Sequence, residues 1–207
     1  MGLAAIVNDL EVLGLIHVVW CRWRELRNHI YKSIAVRNTE ELISWVMDVD
    51  RCRPIDERLE RFLYILRDVV VKLGIVEDLV KEVKKVLAMG IRIIPFFSRE
   101  YPCELLRYRT GTDFIYPPLV LYAKDLRIDL NSRPMIAVVG TRECSEWGRA
   151  IAFELGERIA KRELILVTGL AEGIDAAATA GAIAAGGSVV GVRPWLEPLS
   201  LPYESRR

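Results

Sequence analysis

Leu59, Phe62, Leu63, Leu66, Val69, Val70 and Leu73 recur at steps of three and four residues. That spacing is the stripe of an amphipathic helix, and Gly74 offers it a C-terminal stop. Leu79, Val80, Val83, Val86 and Leu87 repeat the pattern, with Lys81, Glu82, Lys84 and Lys85 on the wet side and Gly90 at the end. Upstream, apolar spacing predicts shorter helices over 3–19, 22–35 and 39–48. Thr39 is the candidate N-cap of the last, and Asp50 to Pro54 reads as a break.

Beyond Gly90 the pattern changes from helical to extended. Ile91 to Ile94 reads as a strand closed by Pro95, Tyr101-Pro102 opens a short helix, and Leu119 to Tyr122 reads as a strand behind Pro117-Pro118. Met135-Ile136-Ala137-Val138-Val139 is a continuous apolar run, the expectation for a strand buried on both faces of a parallel sheet. A helix follows from about Ser145 to Lys161, with Ile151, Leu155 and Ile159 on one side. Leu164 to Val167 is a second strand, Ile174 to Ala185 a second helix, Gly186-Gly187 its stop, and Ser188 to Val192 a third strand. Strand, helix, strand, helix, strand in so short a span makes right-handed parallel crossovers nearly obligatory. The predicted fold is therefore α/β, a short Rossmann-like parallel sheet of about three to five strands. An all-helical domain over 1–88 precedes it, and the α/β domain takes 89–207.

Composition narrows the function. At 207 residues, 52% hydrophobic and 28% charged, the chain can bury a full core, and its net charge of +1 advertises neither nucleic acid nor membrane globally. Any affinity for phosphate must be local. The sequence has no Gln and is rich in Arg, Lys, Glu, Ile and Val, a bias that suits a thermophile. Cys21, Cys52, Cys103 and Cys144 form no Cys-x-x-Cys knuckle, and only His17 and His29 could join them, so no metal site is expected. Reduced thiols in a cytoplasm are the default, with a disulfide open to a heat-adapted protein. The run from Leu3 to Trp20 is interrupted by Asp9 and Glu11, lacks a basic flank, and reads as a buried helix rather than a signal or membrane span.

Candidate chemistry lies where the first two parallel strands end, since ligands of open parallel sheets bind beyond the carboxyl ends of the strands. At the first end, Gly140 permits a sharp turn, Thr141 and Arg142 stand where a ligand would, and Ser145 caps the following helix, whose first amides and dipole favour an anion. The Arg142 guanidinium can fork onto phosphate oxygens. At the second end, Gly169-Leu170-Ala171-Glu172-Gly173-Ile174-Asp175 forms another glycine-bracketed turn. Asp175 reads as a structural residue or a hydrogen-bond acceptor toward a ribose. Structural punctuation is the competing reading of both turns. Glu143, Glu146, Glu172 and Asp175 oppose a polyanion, with Arg142, Arg149 and Arg193 as counterweights.

Two longer stretches carry a resemblance. Val139-Gly140-Thr141-Arg142, with Ser145 and Trp147-Gly148, and then Thr168-Gly169-Leu170-Ala171-Glu172-Gly173-Ile174-Asp175-Ala176-Ala177-Ala178, resemble the DprA/Smf DNA-processing family in order and spacing. Gly90-Ile91-Arg92, Tyr101-Pro102 with Leu105, and Pro118 to Tyr122 extend the similarity, which covers about 90–192. The resemblance implies a Rossmann-like domain that binds single-stranded DNA and passes it to a recombinase in transformation or repair, without established catalysis, metal or cofactor. By position it implies a phosphate pocket of Gly140, Thr141, Arg142 and Ser145 with Gly169, Leu170, Ala171 and Gly173. Glu172, Asp175, Gly186, Gly187 and Arg193 are secondary candidates. A sheet of so few strands leaves an open edge, which predicts a homodimer or another protein partner completing it, and no membrane is expected.

The chain departs from the family at Thr179, where the family has His, and at Arg193-Pro194-Trp195, where it has a glycine-rich turn. Relative to the family it is expected to be shortened at its C-terminal side. The stretch Ala185 to Pro194 is in addition similar to the LOG-like and molybdenum-cofactor-carrier proteins, which keeps a nucleotide ligand open as the alternative, or else a partner-dependent scaffold. Their Pro-Gly-Gly-x-Gly-Thr-x-x-Glu motif is missing. Trp20, Arg22, Trp23, Arg24, Arg27, Tyr31, Lys32 and Arg37 mix aromatic and basic residues as single-strand binders do, against the reading of an ordinary amphipathic helix.

Overall fold

The computed structural model describes residues 23–48, 50–72, 76–107 and 117–193. The expected helix over 3–19, the Gly74 stop, and Trp20 and Arg22 lie outside them. Among the described residues no helix is long and apolar enough to cross a membrane.

The first helices are α1 (Trp23–Ile34) and α2 (Thr39–Val46). Asn38, not Thr39, caps α2: its side chain accepts the Glu41 N–H at 2.9 Å. Asn38 has the extended backbone of a cap, whereas Thr39 is already the first helical residue and puts its hydroxyl 2.7 Å from that of Tyr31. The Glu41 carboxylate reaches back to the Arg37 N–H at 2.8 Å and to its guanidinium, so this helix start is closed from both sides. The predicted break at 50–54 is a minimal hairpin. Strands β1 (Met47–Asp48) and β2 (Arg53–Pro54) pair antiparallel around it.

Helix α3 (Asp56–Lys72) buries Leu59, Phe62, Leu66 and Val69 of the predicted stripe, and α4 (Val76–Ala88) buries Val83 and Val86. Strands β3 (Ile91–Pro95) and β4 (Val120–Lys124) pair antiparallel over five positions, with the short α5 (Cys103–Arg107) between them in sequence. Phe96, just past β3, sits edge-on to Phe62 of α3 with ring centroids 6.0 Å apart, and to Phe97 at 5.3 Å. Tyr101 donates its hydroxyl to the Pro118 carbonyl at 2.6 Å. Burial pushes that hydroxyl above the ordinary tyrosine range.

The described residues divide into two compact units between Asp125 and Leu126. The change of pattern near residue 88 thus marks the start of β3, whereas the division of packing falls later. The β3–β4 pair stays with the helices because Phe96 packs on α3.

The second unit is a parallel sheet of β5 (Met135–Ala137), β6 (Ile165–Thr168) and β7 (Ser188–Gly191), in that spatial order. Ile136, Leu166 and Val189 stand in register. Helix α6 (Glu146–Lys161) connects β5 to β6, and α7 (Ile174–Ala184) connects β6 to β7. Strands in chain order, joined by crossovers of one hand, put both helices on one face. Accordingly Val138 and Leu166 share one core with Ala152 and Ile159 of α6 and Ala177, Ala178 and Ala182 of α7.

The two helices meet backbone to backbone. A Cβ on Gly156 would lie 2.0 Å from the Ala178 carbonyl oxygen, and one on Gly181 would lie 1.9 Å from that of Phe153. Only hydrogen fits at either point.

Two expectations are corrected in this unit. The run Met135 to Val139 is not buried on both faces: Ile136, Ala137 and Val139 are exposed. The reason is topological, because β5 is an edge strand and both helices cover the same side. On α6, Ile159 is buried but Ile151 and Leu155 are exposed. The inward face is the small-residue one, Ala152 and Gly156, which the close helix contact demands.

Candidate functional site at the carboxyl ends of the parallel strands

In a parallel sheet all strands end at the same edge, so the turns after β5 and β6 are brought together. Asp175, in the first turn of α7, joins them. Its side chain is 3% exposed and accepts N–H groups from both: Gly140 at 3.0 Å, Gly169 at 3.0 Å and Ala171 at a long 3.5 Å. Of the two readings of Asp175, structural or ribose-facing, the structure supports the structural one. The amides of Gly140, Gly169 and Ala171, three of the expected binding residues, are thus directed at this carboxylate.

A second fastening lies beside the first. The Ile174 N–H donates to the Thr141 carbonyl at 3.2 Å. Gly173 has φ +82, and a Cβ there would come within 2.2 Å of the Thr141 oxygen and 2.4 Å of the Arg142 oxygen. A side chain at Gly140 would strike Ile174 at 2.6 Å. These glycines are where one turn nests in the other. Leu170 takes φ 54, a conformation uncommon for a side-chain-bearing residue, and lies against Gly191.

The free hydrogen-bonding capacity begins one residue later. Ser145 caps α6 as expected, accepting the Gly148 N–H at 3.1 Å. Among the described residues, none of the amides from Thr141 through Trp147 has a protein acceptor. This run wraps the start of a 16-residue helix, whose dipole adds partial positive charge at the same place. Arg142 and Arg149 are exposed, and among the described residues neither is in an ion pair. Glu143 and Glu146 are exposed too, so the formal charge over residues 140–149 sums to zero. Thr168, at the end of β6, is 1% exposed and its hydroxyl has no hydrogen-bond partner.

The secondary candidates separate. Glu172 is exposed in the second turn, and Arg193 is exposed just past β7, where the Val192 N–H still bonds the Thr168 carbonyl at 2.8 Å. Gly186 and Gly187 lie apart from these turns. They precede β7, and the amino end of a parallel strand lies at the opposite edge of the sheet from the site. Thr179, at the position of the family's His, donates its hydroxyl to the Asp175 carbonyl one turn back at 2.8 Å.

In the aromatic and basic cluster of α1, Arg27 and Lys32 are exposed and Arg37 is paired with Glu41. Cys52, Cys103 and Cys144 are not in disulfides, and among the described residues no group of three or more His, Cys, Asp or Glu could hold a metal.

Trp147, which the motif above includes, was not among the candidate site residues. It is 76% exposed on the first turn of α6, beside the open amides. Its place outside the Ala152–Gly156–Ile159 face was the available signal.

Comparison with known proteins fits this geometry. A family profile described as DNA recombination-mediator protein A matches residues 92–197, which includes both turns. The DNA processing protein DprA of Bacillus subtilis is 34% identical over 122 residues, covering 56% of this chain and 39% of that protein. The DprA of Streptococcus pneumoniae is 31% identical over 155 residues, covering 74% of this chain and 46% of its own length. A putative DprA of Mycobacterium tuberculosis is 38% identical over 78 residues. The chain thus spans less than half the length of these relatives. With a matched segment that takes in the whole parallel sheet and both turns at its carboxyl edge, the chain belongs to the DNA recombination-mediator protein A family.

Proposed function

We infer that this chain binds single-stranded DNA at the edge formed by the two turns and serves DNA processing, uptake or recombination in the cytoplasm. It does so as a binding protein rather than as an enzyme. The observation that carries the reading is the run of amides from Thr141 to Trp147 without protein acceptors, with the unpaired Arg142 guanidinium beside it. Thr141, Arg142 and Ser145 are the residues in reach of a phosphate. Gly140, Gly169, Leu170, Ala171 and Gly173 shape the turns that hold them. The similarity to DNA processing proteins supports the same reading. A recombinase and a second copy of the chain, or another protein, are its proposed partners.

The test is fluorescence anisotropy with labelled oligonucleotides at low and moderate salt. Arg142→Ala is expected to weaken binding by about tenfold or more, the worth of a charge-assisted hydrogen bond. The salt slope should be shallow, near −0.7 for each phosphate held. No binding at low salt, or none lost on Arg142→Ala, overturns the reading.

The zero net charge around the loop favours a second reading, a single nucleotide held by amides rather than a polyanion held by charge. It calls for saturable thermal stabilisation by nucleotides and none by oligonucleotides.

A further inference from the structure

We propose that Trp147 is a stacking platform for an unpaired base, so that the site takes single-stranded nucleic acid by its base face as well as its phosphates. The proposal rests on the reading above and deepens it. Three observations meet at this residue. Its ring is 76% exposed, the largest fraction among the exposed large hydrophobics of the described residues. It lies two positions past the Ser145 cap, and its own amide belongs to the open run, so ring and phosphate donors share one helical turn. The third is electrostatic. With Arg142 and Arg149 offset by Glu143 and Glu146, counterion release can supply little of the affinity, and a ligand must gain it another way.

Stacking on an aromatic side chain supplies that gain without regard to base identity, because every base has a π-face. A duplex hides those faces, so the same ring discriminates against double strands. Ile151 and Leu155 continue an exposed apolar line down α6 and raise a protein partner as the rival occupant. The tryptophan, however, stands at the end of that line where the amides and Arg142 are. Both DNA and RNA present such a face, and the ring recognises the feature they share.

The experiment compares two oligomers of equal length, oligo(dT) and its abasic counterpart, which keeps sugar and phosphate but lacks bases. Binding of the full chain is read by anisotropy at low salt, with a thermal melt to confirm folding. The parent is expected to prefer oligo(dT). Trp147→Ala should lose about tenfold or more on oligo(dT) and nothing on the abasic strand, Trp147→Phe should recover most of the loss, and Arg142→Ala should weaken both. An unchanged affinity of Trp147→Ala for oligo(dT), or an equal loss on both strands, overturns the proposal while leaving phosphate binding intact. So does a variant that binds like the parent but sediments differently, which assigns the ring to a protein interface. A parent that binds neither strand overturns the functional reading itself and this proposal with it.

Discussion

The two compact units solve the same packing problem in opposite ways. The first fills its core with large side chains: Phe96, Phe97, Leu59, Leu66, Ile91, Ile94 and Tyr101 are all fully buried. The second packs α6 on α7 through hydrogen atoms, with Gly156 and Gly181 against facing carbonyls and alanines filling the rest. The surfaces differ as well. Of the twelve exposed large hydrophobics among the described residues, nine are in the second unit. Helix starts follow suit, for α2 is closed by Asn38 and Glu41 together, whereas α6 has Ser145 alone. One unit keeps its binding capacity for itself, and the other leaves much of it turned outward.

The sharpest way to break this contrast is to change volume in opposite directions. In the first unit, removing atoms should do the damage: Phe96→Ala is expected to cost about 3–5 kcal/mol by urea denaturation of the full chain. In the second, adding a single methyl should do it. Gly181→Ala, whose Cβ would meet the Phe153 carbonyl, is expected to cost about 1–3 kcal/mol. A neutral Gly181→Ala would mean that the helices can part freely, and the comparison would lose its basis.

Capping gives a smaller effect. Asn38→Ala and Ser145→Ala should each cost about 1 kcal/mol in the same assay. The second should also lower oligonucleotide affinity, and the first should leave it unchanged, since α6 starts at the proposed site and α2 belongs to the other unit.

The smallest effect is confined to the first unit and to alkaline pH. Folding raises the Tyr101 hydroxyl above its unfolded value near ~10. Its contribution is therefore fully present below pH ~10 and is lost as pH climbs from there toward the folded value. Stability should drop by on the order of 1 kcal/mol by pH ~11, and Tyr101→Phe should flatten that part of the profile.

The sequence made the strand–helix order of the second unit legible, because a buried apolar run between glycine turns has few other readings. Ile165 and Leu166 are fully buried, as such a run requires. It could not reveal which strand would be an edge. Met135 to Val139 looks like an interior strand, and only the chain-order arrangement of the sheet exposes it. The stripe Ile151, Leu155 and Ile159 misled for a related reason, since periodicity weighs apolar size and not the need of two helices for close approach. The two turns that meet at the strand ends were legible as turns, through Gly140, Arg142, Ser145 and Gly173. Their division of labour was not. Which amides turn inward depends on the Asp175 carboxylate, thirty-five residues from Gly140 along the chain, and no local pattern encodes that meeting.

That carboxylate has a wider consequence. Because its two oxygens accept amides from the turns after two different strands, moving either turn away costs a hydrogen bond to a group that the other also holds. One buried carboxyl group thus ties the whole carboxyl edge of β5 and β6 together, and the side chains standing on that edge keep the freedom its backbone lacks.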